Sequence, residues 1–394
     1  MFQTLSRPPE DAILALGAIF RADTRQGKID FGIGVYRDPQ GRTPVMRAVK
    51  AAEERIWKTQ DSKSYTQLAG DPAFTGGLSA LVLSDAVPAG RVAAAAAPGG
   101  TGALRQGLEL IRRANPAARI WLPDPTWPNH PAMLVPLGLE KATYRYYDAA
   151  AGDVDRAGMM ADLAGMAAGD VLVVHGCCHN PTGADLTPAD WTALAALCAA
   201  RGVVPLIDLA YLGFGEGLEA DAEGTRIMAA ALPEVLVAVS CSKNFGIYRE
   251  RTGLLIALTE AGERRDILQE VLNTLNRLAY SFAPDHGARV VSTILTEADL
   301  RTDWLDELEA IRKGMIAGRT LLAAELASLT GSDRFAYLAR QRGMFSLLPA
   351  SRDQVMTLRN DHGIYIIGNG RINVAALNAS TAPALARAII ACGI

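Results

Sequence analysis

Val235-Leu-Val-Ala-Val-Ser-Cys-Ser-Lys-Asn-Phe-Gly-Ile-Tyr-Arg-Glu-Arg-Thr-Gly253 decides how this chain reads. Its first five residues are apolar without alternation, the pattern of a strand buried on both faces. The polar stretch from Ser240 to Gly253 follows at the strand's carboxyl end. There Lys243 stands between small hydroxyl side chains, eight residues before Arg251. A lysine amine can form a Schiff base, and a guanidinium can hold a phosphate.

Working outward, the same grammar recurs. Ile120 to Leu122, Val171 to Val174, Val203 to Ile207 and Leu254 to Leu258 are further strand candidates, with helical stretches such as Ala103 to Arg113 and Trp191 to Ala200 between some of them. Alternation of this kind predicts a mostly parallel sheet covered by helices, with its chemistry at the carboxyl ends of the strands. Past Gly262 two long helical stretches follow, Arg264 to Leu278 and Asp299 to Ser328. From Gly331 onward strand candidates Phe345 to Leu348, Ile364 to Ile367 and Ile372 to Val374, with a final helix at Ala382 to Ala391, predict a smaller α+β unit. The alanine tract Ala93 to Ala97 reads as too short to matter.

At 394 residues the chain is long enough for a large domain with a smaller companion, and so for a cleft between them. Its 39 basic and 42 acidic residues are well mixed and leave a net charge of −3, so no basic field exists to gather nucleic acid or an anionic membrane. A small-molecule partner is expected. Five cysteines, neither dense nor evenly paired, fit a reducing compartment, with cytoplasm as the expectation. Glu10 and Asp11 precede the apolar segment Ala12 to Phe20 where a signal peptide carries positive charge, and Ile13, Leu16 and Phe20 fall at helical spacing, so this segment reads as an amphipathic helix. No apolar run reaches membrane-spanning length.

Several points along the sheet region carry chemistry. Pro98-Gly-Gly-Thr-Gly102 lies between an apolar run and a helix, where glycine lets backbone approach a phosphate, although an ordinary glycine turn has the same signature. Trp127 follows a strand end and could stack on a planar ring, or simply half-bury itself in a loop. His175-Gly-Cys-Cys-His-Asn-Pro-Thr-Gly183 invites a zinc reading, which is set aside because adjacent cysteines rarely converge on one ion; no metal is expected. Asn180 instead reads as an amide presented by a sharp turn. Asp208 is an isolated carboxylate at the end of an apolar strand and must be paired or hold a cationic ligand. Tyr211 is near enough to face the same site, and Lys243 ends the next candidate strand, so Asp208 and Lys243 flank one pocket.

In order and spacing, Asn180-Pro-Thr-Gly183, Asp208-Leu-Ala-Tyr211, Ser240-Cys-Ser-Lys-Asn-Phe-Gly246 and Gly370-Arg-Ile-Asn-Val374 make the chain resemble a class I aminotransferase of the aspartate and aromatic amino-acid branch, from Pro9 to the C-terminus. The resemblance implies the fold-type I α/β architecture of pyridoxal-phosphate-dependent transferases. It also implies an N-terminal arm at 1–11, a small domain from 12–43 and 311–394, and a large cofactor domain at 44–310. Pyridoxal 5'-phosphate is the implied cofactor, attached to Lys243, with Asp208 on its pyridine nitrogen. Asn180 and Tyr211 are implied to hydrogen-bond its phenolic oxygen, and Trp127 to stack on its ring. Gly100, Thr101, Ser240, Ser242 and Arg251 are implied phosphate ligands, with Tyr65 reaching in from the other subunit of a homodimer with shared active sites. Arg371 is implied to grip the substrate α-carboxylate, Arg277 to receive a second carboxylate across the interface, and Gly34 to close over the substrate.

The implied reaction is ping-pong transamination between an L-amino acid and a 2-oxo acid such as 2-oxoglutarate or oxaloacetate, with the freed Lys243 amine as general base. Arg277 points to aspartate and glutamate. Cys241, Ile247, Arg249-Glu-Arg-Thr252 and Gly331-Ser-Asp-Arg-Phe335 resemble the aromatic amino-acid enzymes, so dual acidic and aromatic specificity is expected. A strict aspartate aminotransferase and a lyase or decarboxylase of the same fold are the alternatives. A DNA-binding regulator would carry a basic helical domain ahead of the fold, and the chain begins almost directly at the fold.

Overall fold

The computed structural model describes residues 1–7, 11–38 and 40–394, so Glu10 and part of the expected N-terminal arm lie outside the described residues. The centre is a seven-stranded sheet: β1 Val92–Pro98, β2 Arg119–Asp124, β3 Glu140–Arg145, β4 Val171–His175, β5 Val204–Leu209, β6 Val235–Ser240 and β7 Thr252–Leu258. Their spatial order is β1-β7-β6-β5-β4-β2-β3, and only β7 runs antiparallel to its neighbours. That one reversal matters for the site. It returns the chain so that Gly253 sits opposite both Ser240 and Ala97, which puts Arg251 beside the carboxyl end of β6.

The sheet is apolar on both faces, as its unalternating strands require. One face packs against helix Gly99–Ala114 through Leu104, Leu108 and Ile111 and against helix Glu263–Ala279 through Leu272 and Leu275. The other face packs against Trp191 and Leu194 of helix Pro188–Arg201 and Ala222 and Met228 of helix Leu218–Ala231. A separate apolar cluster joins Phe31 to residues from Leu322 to Ile394. It includes two short sheets, Ile29–Asp30 parallel to Ile364–Tyr365 and Phe345–Leu347 antiparallel to Arg371–Asn373. The 33-residue helix Ala298–Thr330 contributes to both regions, with Trp304 in the large core and Leu322 in the small one.

Two sheet strands escape the pattern. The alanine tract is β1, contrary to its reading as a segment of no consequence, and Glu140–Arg145 is the opposite edge strand. Alanine is a weak strand former, but here small side chains let helices approach from both sides. The free edge of β1 is also covered. Gln269 both accepts from Ala94 N and donates to its carbonyl at 3.0 Å, Asn276 donates to Ala96 O at 3.1 Å, and Arg265 donates to Val92 O at 2.9 Å. These side chains occupy ladder positions that would otherwise template another strand. Beyond Gly262 there is also a third helix, His286–Thr296, between the two expected ones. No helix is long and apolar enough to cross a membrane among the described residues.

Candidate active site

The carboxyl ends of the parallel strands converge on a cavity of about 210 Å3. Lys243, Asp208, Tyr211, Asn180, Trp127, Gly100, Thr101, Ser240, Ser242, Arg251, Arg371 and Gly34 all line it. Lys243 lies in a turn three residues past β6, and that turn is anchored from below. Trp304 donates its indole N–H to Asn244 O at 2.8 Å, and its ring stacks on Phe245 with centroids 4.5 Å apart. The Lys243 amine stands 5.0 Å from the centre of the Tyr211 ring. Burial lowers the pKa of Lys243, the Asp208 charge raises it in partial compensation, and Arg251 lowers it further.

Asp208 faces His175 directly across the β4–β5 register. Its Oδ2 lies 3.1 Å from His130 Nε2, and His130 Nδ1 lies 2.7 Å from the Thr126 hydroxyl. With Thr126 donating to Nδ1, the proton on Nε2 is the one Asp208 accepts. Burial opposes charge on Asp208, but the His130 hydrogen bond, with the Lys243 charge nearby, outweighs it and holds the carboxyl below its ordinary range. His175 accepts the Asn180 N–H on Nδ1 at 3.2 Å, and burial, with His179 and His130 beside it, keeps it neutral. His130, His175 and Asp208 each offer a ligand atom within 4.8 Å of the others; hydrogen bonds engage both His130 nitrogens, Asp208 Oδ2 and His175 Nδ1, while His175 Nε2 has no partner. Sequence reasoning missed His130 altogether. It lies on a short helix and finds Asp208 only through the fold.

On the other side is an anion cradle. Helix Gly99–Ala114 begins without a side-chain cap, so its first N–H groups are free to face a ligand. A Cβ on Gly100 would stand 2.9 Å from Ser240 Cβ, so only glycine brings this backbone so close to the serine. Arg251, at φ +52°, donates to Ser242 Oγ at 3.3 Å and to Tyr248 O at 3.2 Å. Free helix N–H groups, two buried serines and a guanidinium suit a phosphate, while an ionised carboxylate opposite suits a protonated ring nitrogen. The donor set therefore fits a flat, phosphate-bearing, basic cofactor, with Trp127 on the wall between.

Arg371 completes the cavity. It is 3% exposed, and among the described residues no carboxylate lies within ion-pair distance of it. Its Nη1 donates to Asn180 Oδ1 at 3.2 Å and its Nη2 to Gly32 O at 2.9 Å, while Nε, also buried, has no partner. Burial lowers its pKa. Arg319 shows the contrast. It is as deeply buried, but its two terminal nitrogens are occupied by Ser346 Oγ and the carbonyls of Leu338, Arg342, Gly343 and Phe345. The Nε of Arg319 is likewise without a partner, but Arg319 lines no part of this cavity and braces the chain through five acceptors, whereas Arg371 makes only two such bonds and lines the cavity, as an anion receptor would.

Two expected residues are elsewhere. Tyr65 is 82% exposed and stacks on Phe282, and Arg277 is exposed and bonded to Ser281. Neither lines the cavity of its own chain.

The family description "Aminotransferase class I and II" matches residues 26–389. The chain belongs to this aminotransferase family. Among this aminotransferase's relatives, the aromatic-amino-acid aminotransferase of Paracoccus denitrificans is 53% identical over 394 residues, covering 100% of both chains. The aspartate aminotransferase of Salmonella typhi is 40% identical over 394 residues, covering 99% of this aminotransferase and 100% of that protein. Among solved structures, an aromatic-amino-acid aminotransferase from Burkholderia pseudomallei covalently bound to pyridoxal phosphate superposes with a TM-score of 0.97 at 39% identity, covering 100% of this aminotransferase and 99% of that chain.

Proposed function

We propose that this aminotransferase uses pyridoxal 5'-phosphate bound at Lys243 to move an amino group between an aromatic or acidic L-amino acid and a 2-oxo acid, 2-oxoglutarate or oxaloacetate. The single observation that carries this reading is Arg371, a buried guanidinium that lines the same cavity as Lys243 and has no carboxylate partner among the described residues. A substrate carboxylate satisfies it, and a bidentate fork there fixes the amino acid's orientation.

When bound, the cofactor supplies a carbonyl carbon that accepts the amino group and a ring that takes up the electron pair released at the substrate Cα. The chain's own residues do the rest. Helix Gly99–Ala114, Ser240, Ser242 and Arg251 hold the phosphate, and Trp127 covers one ring face. Asp208, kept ionised and oriented by His130, holds a proton on the ring nitrogen. Asn180 and Tyr211 hydrogen-bond the phenolic oxygen. The Lys243 amine would take the proton from the substrate Cα as general base. Gly34 lies on the approach to the cavity, where an added Cβ would come within 3.0 Å of Phe345, and closes over the substrate.

Tyr65 and Arg277 act in a second copy of the chain, as a homodimer with shared active sites requires. Exposed Phe2, Leu5, Trp57 and Tyr65 supply apolar surface for that contact. The proposed organisation is an arm at 1–11, a small domain from 12–43 and 311–394, and a large domain at 44–310, which agrees with the separate apolar cluster of Phe31 and residues 322–394. Five unpaired cysteines support a cytoplasmic location.

Single-turnover spectroscopy of the holoenzyme tests the substrate assignment. Aspartate, glutamate, tyrosine and phenylalanine are each expected to discharge the lysine-bound cofactor absorbance. Failure of tyrosine and phenylalanine while aspartate succeeds overturns the aromatic half and leaves a strict aspartate enzyme. Arg277→Ala separates the two substrate classes. Losing one partner of a charged pair costs about 2–5 kcal/mol, so kcat/KM for aspartate is expected to fall by about 30- to 5,000-fold, and that for tyrosine by much less. An equal fall for both removes Arg277 from side-chain recognition.

A further inference from the structure

The adjacent cysteines set aside above do not stay apart in the fold. Cys178 adopts φ +53°, a left-handed conformation uncommon outside glycine. In an extended strand, neighbouring side chains point to opposite faces. Here, instead, the sulfurs of Cys177 and Cys178 and a carboxylate oxygen of Asp221 all lie within 4.8 Å of one another, and all three residues are buried. Asp221 comes from a different element, helix Leu218–Ala231. Its Oδ2 accepts the N–H groups of Gly213 and Gly215, but its Oδ1 accepts only that of Glu216, which leaves a lone pair for another partner.

A second cavity of about 300 Å3 opens onto this cluster, with Cys177, Asp221, Asp185, Glu216, Glu223 and Arg342 on its walls. Arg342 is already bonded to Glu216, so the approach is net acidic. Cys177 also lines the active-site cavity, which makes it the partition between the two. The histidines of the same motif take no part. His175 supports Asn180, and His179 stacks on Tyr146 with ring centres 4.0 Å apart.

We propose that Cys177, Cys178 and Asp221 form a binding site for a soft divalent cation of the zinc and cadmium class, entered from this acidic side cavity. Two sulfurs and one carboxylate oxygen are three of the four ligands such an ion takes, and water in the cavity supplies the fourth. Binding replaces two S–H bonds by two metal–sulfur bonds and releases two protons to solvent, with no change of oxidation state. Both thiols are held protonated, Cys177 chiefly by its contact with Cys178 and Cys178, pushed up to about 12, chiefly by burial. Affinity therefore rises with pH. The ion joins the turn that leads to Asn180 to the Gly213–Glu216 turn that follows Tyr211, so it sits between two walls of the active site.

Cadmium titration of the holoenzyme tests this, because a thiolate–cadmium bond gives an ultraviolet charge-transfer band that histidine and carboxylate sites do not. One equivalent per chain is expected, with one proton-linked band. Cys177→Ser and Cys178→Ser are each expected to weaken binding by about 100-fold or more, since even outer-shell changes cost 10- to 100-fold. Cys392→Ser, which removes the more exposed thiol, is expected to keep the band. No band in the wild type, or a one-equivalent band that survives in either folded Cys177→Ser or Cys178→Ser, overturns the proposal.

Discussion

Lys243→Ala is expected to abolish turnover while leaving the fold and the phosphate cradle intact. In the proposed mechanism the substitution removes both the covalent anchor and the general base, and losing a group that acts in both ways costs about 10⁴-fold or more in kcat. The protein is expected to take up pyridoxal 5'-phosphate reversibly, without the absorbance of the lysine-bound form, because the helix Gly99–Ala114 terminus, Ser240, Ser242 and Arg251 do not depend on the lysine. Substantial turnover in this variant removes Lys243 from the mechanism. The wild-type apoenzyme carries a matching pH dependence. Attachment needs the neutral amine, and burial favours the neutral form by lowering the Lys243 pKa below 10.5, with Asp208 offsetting part of the effect. The rate of covalent uptake is therefore expected to rise with pH through that lowered pKa and to level off at a lower pH than free lysine would require. A stopped-flow profile that keeps climbing to the pKa of an exposed lysine contradicts the burial argument.

The environment of Lys243 was legible in the sequence because strand burial and turn chemistry are local. The runs at Val171, Val203, Val235 and Leu254 are apolar because both sheet faces are covered, and the polar residues just past them fall at the strand ends by necessity. β1 was not legible. Ala93 to Ala97 has the composition of a helix or a linker, and what makes it a strand is non-local: the β7 ladder on one side and Gln269, Asn276 and Arg265 on the other. Edge strand Glu140–Arg145 was hidden for a related reason, since it is mostly exposed and lacks the apolar run that marked the others.

Side-chain roles divide along the same line. Arg371 and Arg319 are indistinguishable as letters, and only the fold separates them, by placing Arg371 on the cavity wall and surrounding Arg319 with Ser346 Oγ and backbone carbonyls. His130 could not be found from its neighbours in sequence because its partner lies 78 residues away. The cysteine pair shows the reverse failure. Adjacency argued against a shared ligand, yet one left-handed residue was enough to aim both sulfurs at Asp221. Tyr65 and Arg277 are exposed and line no cavity of their own chain, so nothing local marks them, and the role proposed for them depends on a second chain.

Asp208→Asn is expected to be nearly as damaging as loss of the lysine, although it changes only one charge. The amide still accepts the His130 hydrogen bond, so packing survives, but it cannot hold a full proton on a ring nitrogen. Uncoupling a buried charge pair in this way costs about 3–5 kcal/mol, which predicts a fall in kcat of about 10²- to 10⁴-fold. The loss should appear in kcat more than in KM, because the carboxylate site proposed at Arg371 is left intact and only the electron demand of the reaction goes unmet. The same carboxyl gives a pH signature in the wild type. Its folded pKa lies below the ordinary 3.8, so it contributes stability above that value, and the contribution is lost as pH falls through the lowered pKa. Asp208→Asn should therefore flatten that part of the acid-unfolding profile. His130→Asn tests whether the proton is held by Asp208 itself or through its support. Since the hydrogen bond from His130 is the largest influence favouring the charged form, this second variant should raise the Asp208 pKa and shift the acid limb of kcat upward. An acid limb unmoved in His130→Asn, together with a kcat unchanged in Asp208→Asn, would mean that the ring nitrogen is not the atom this pair serves.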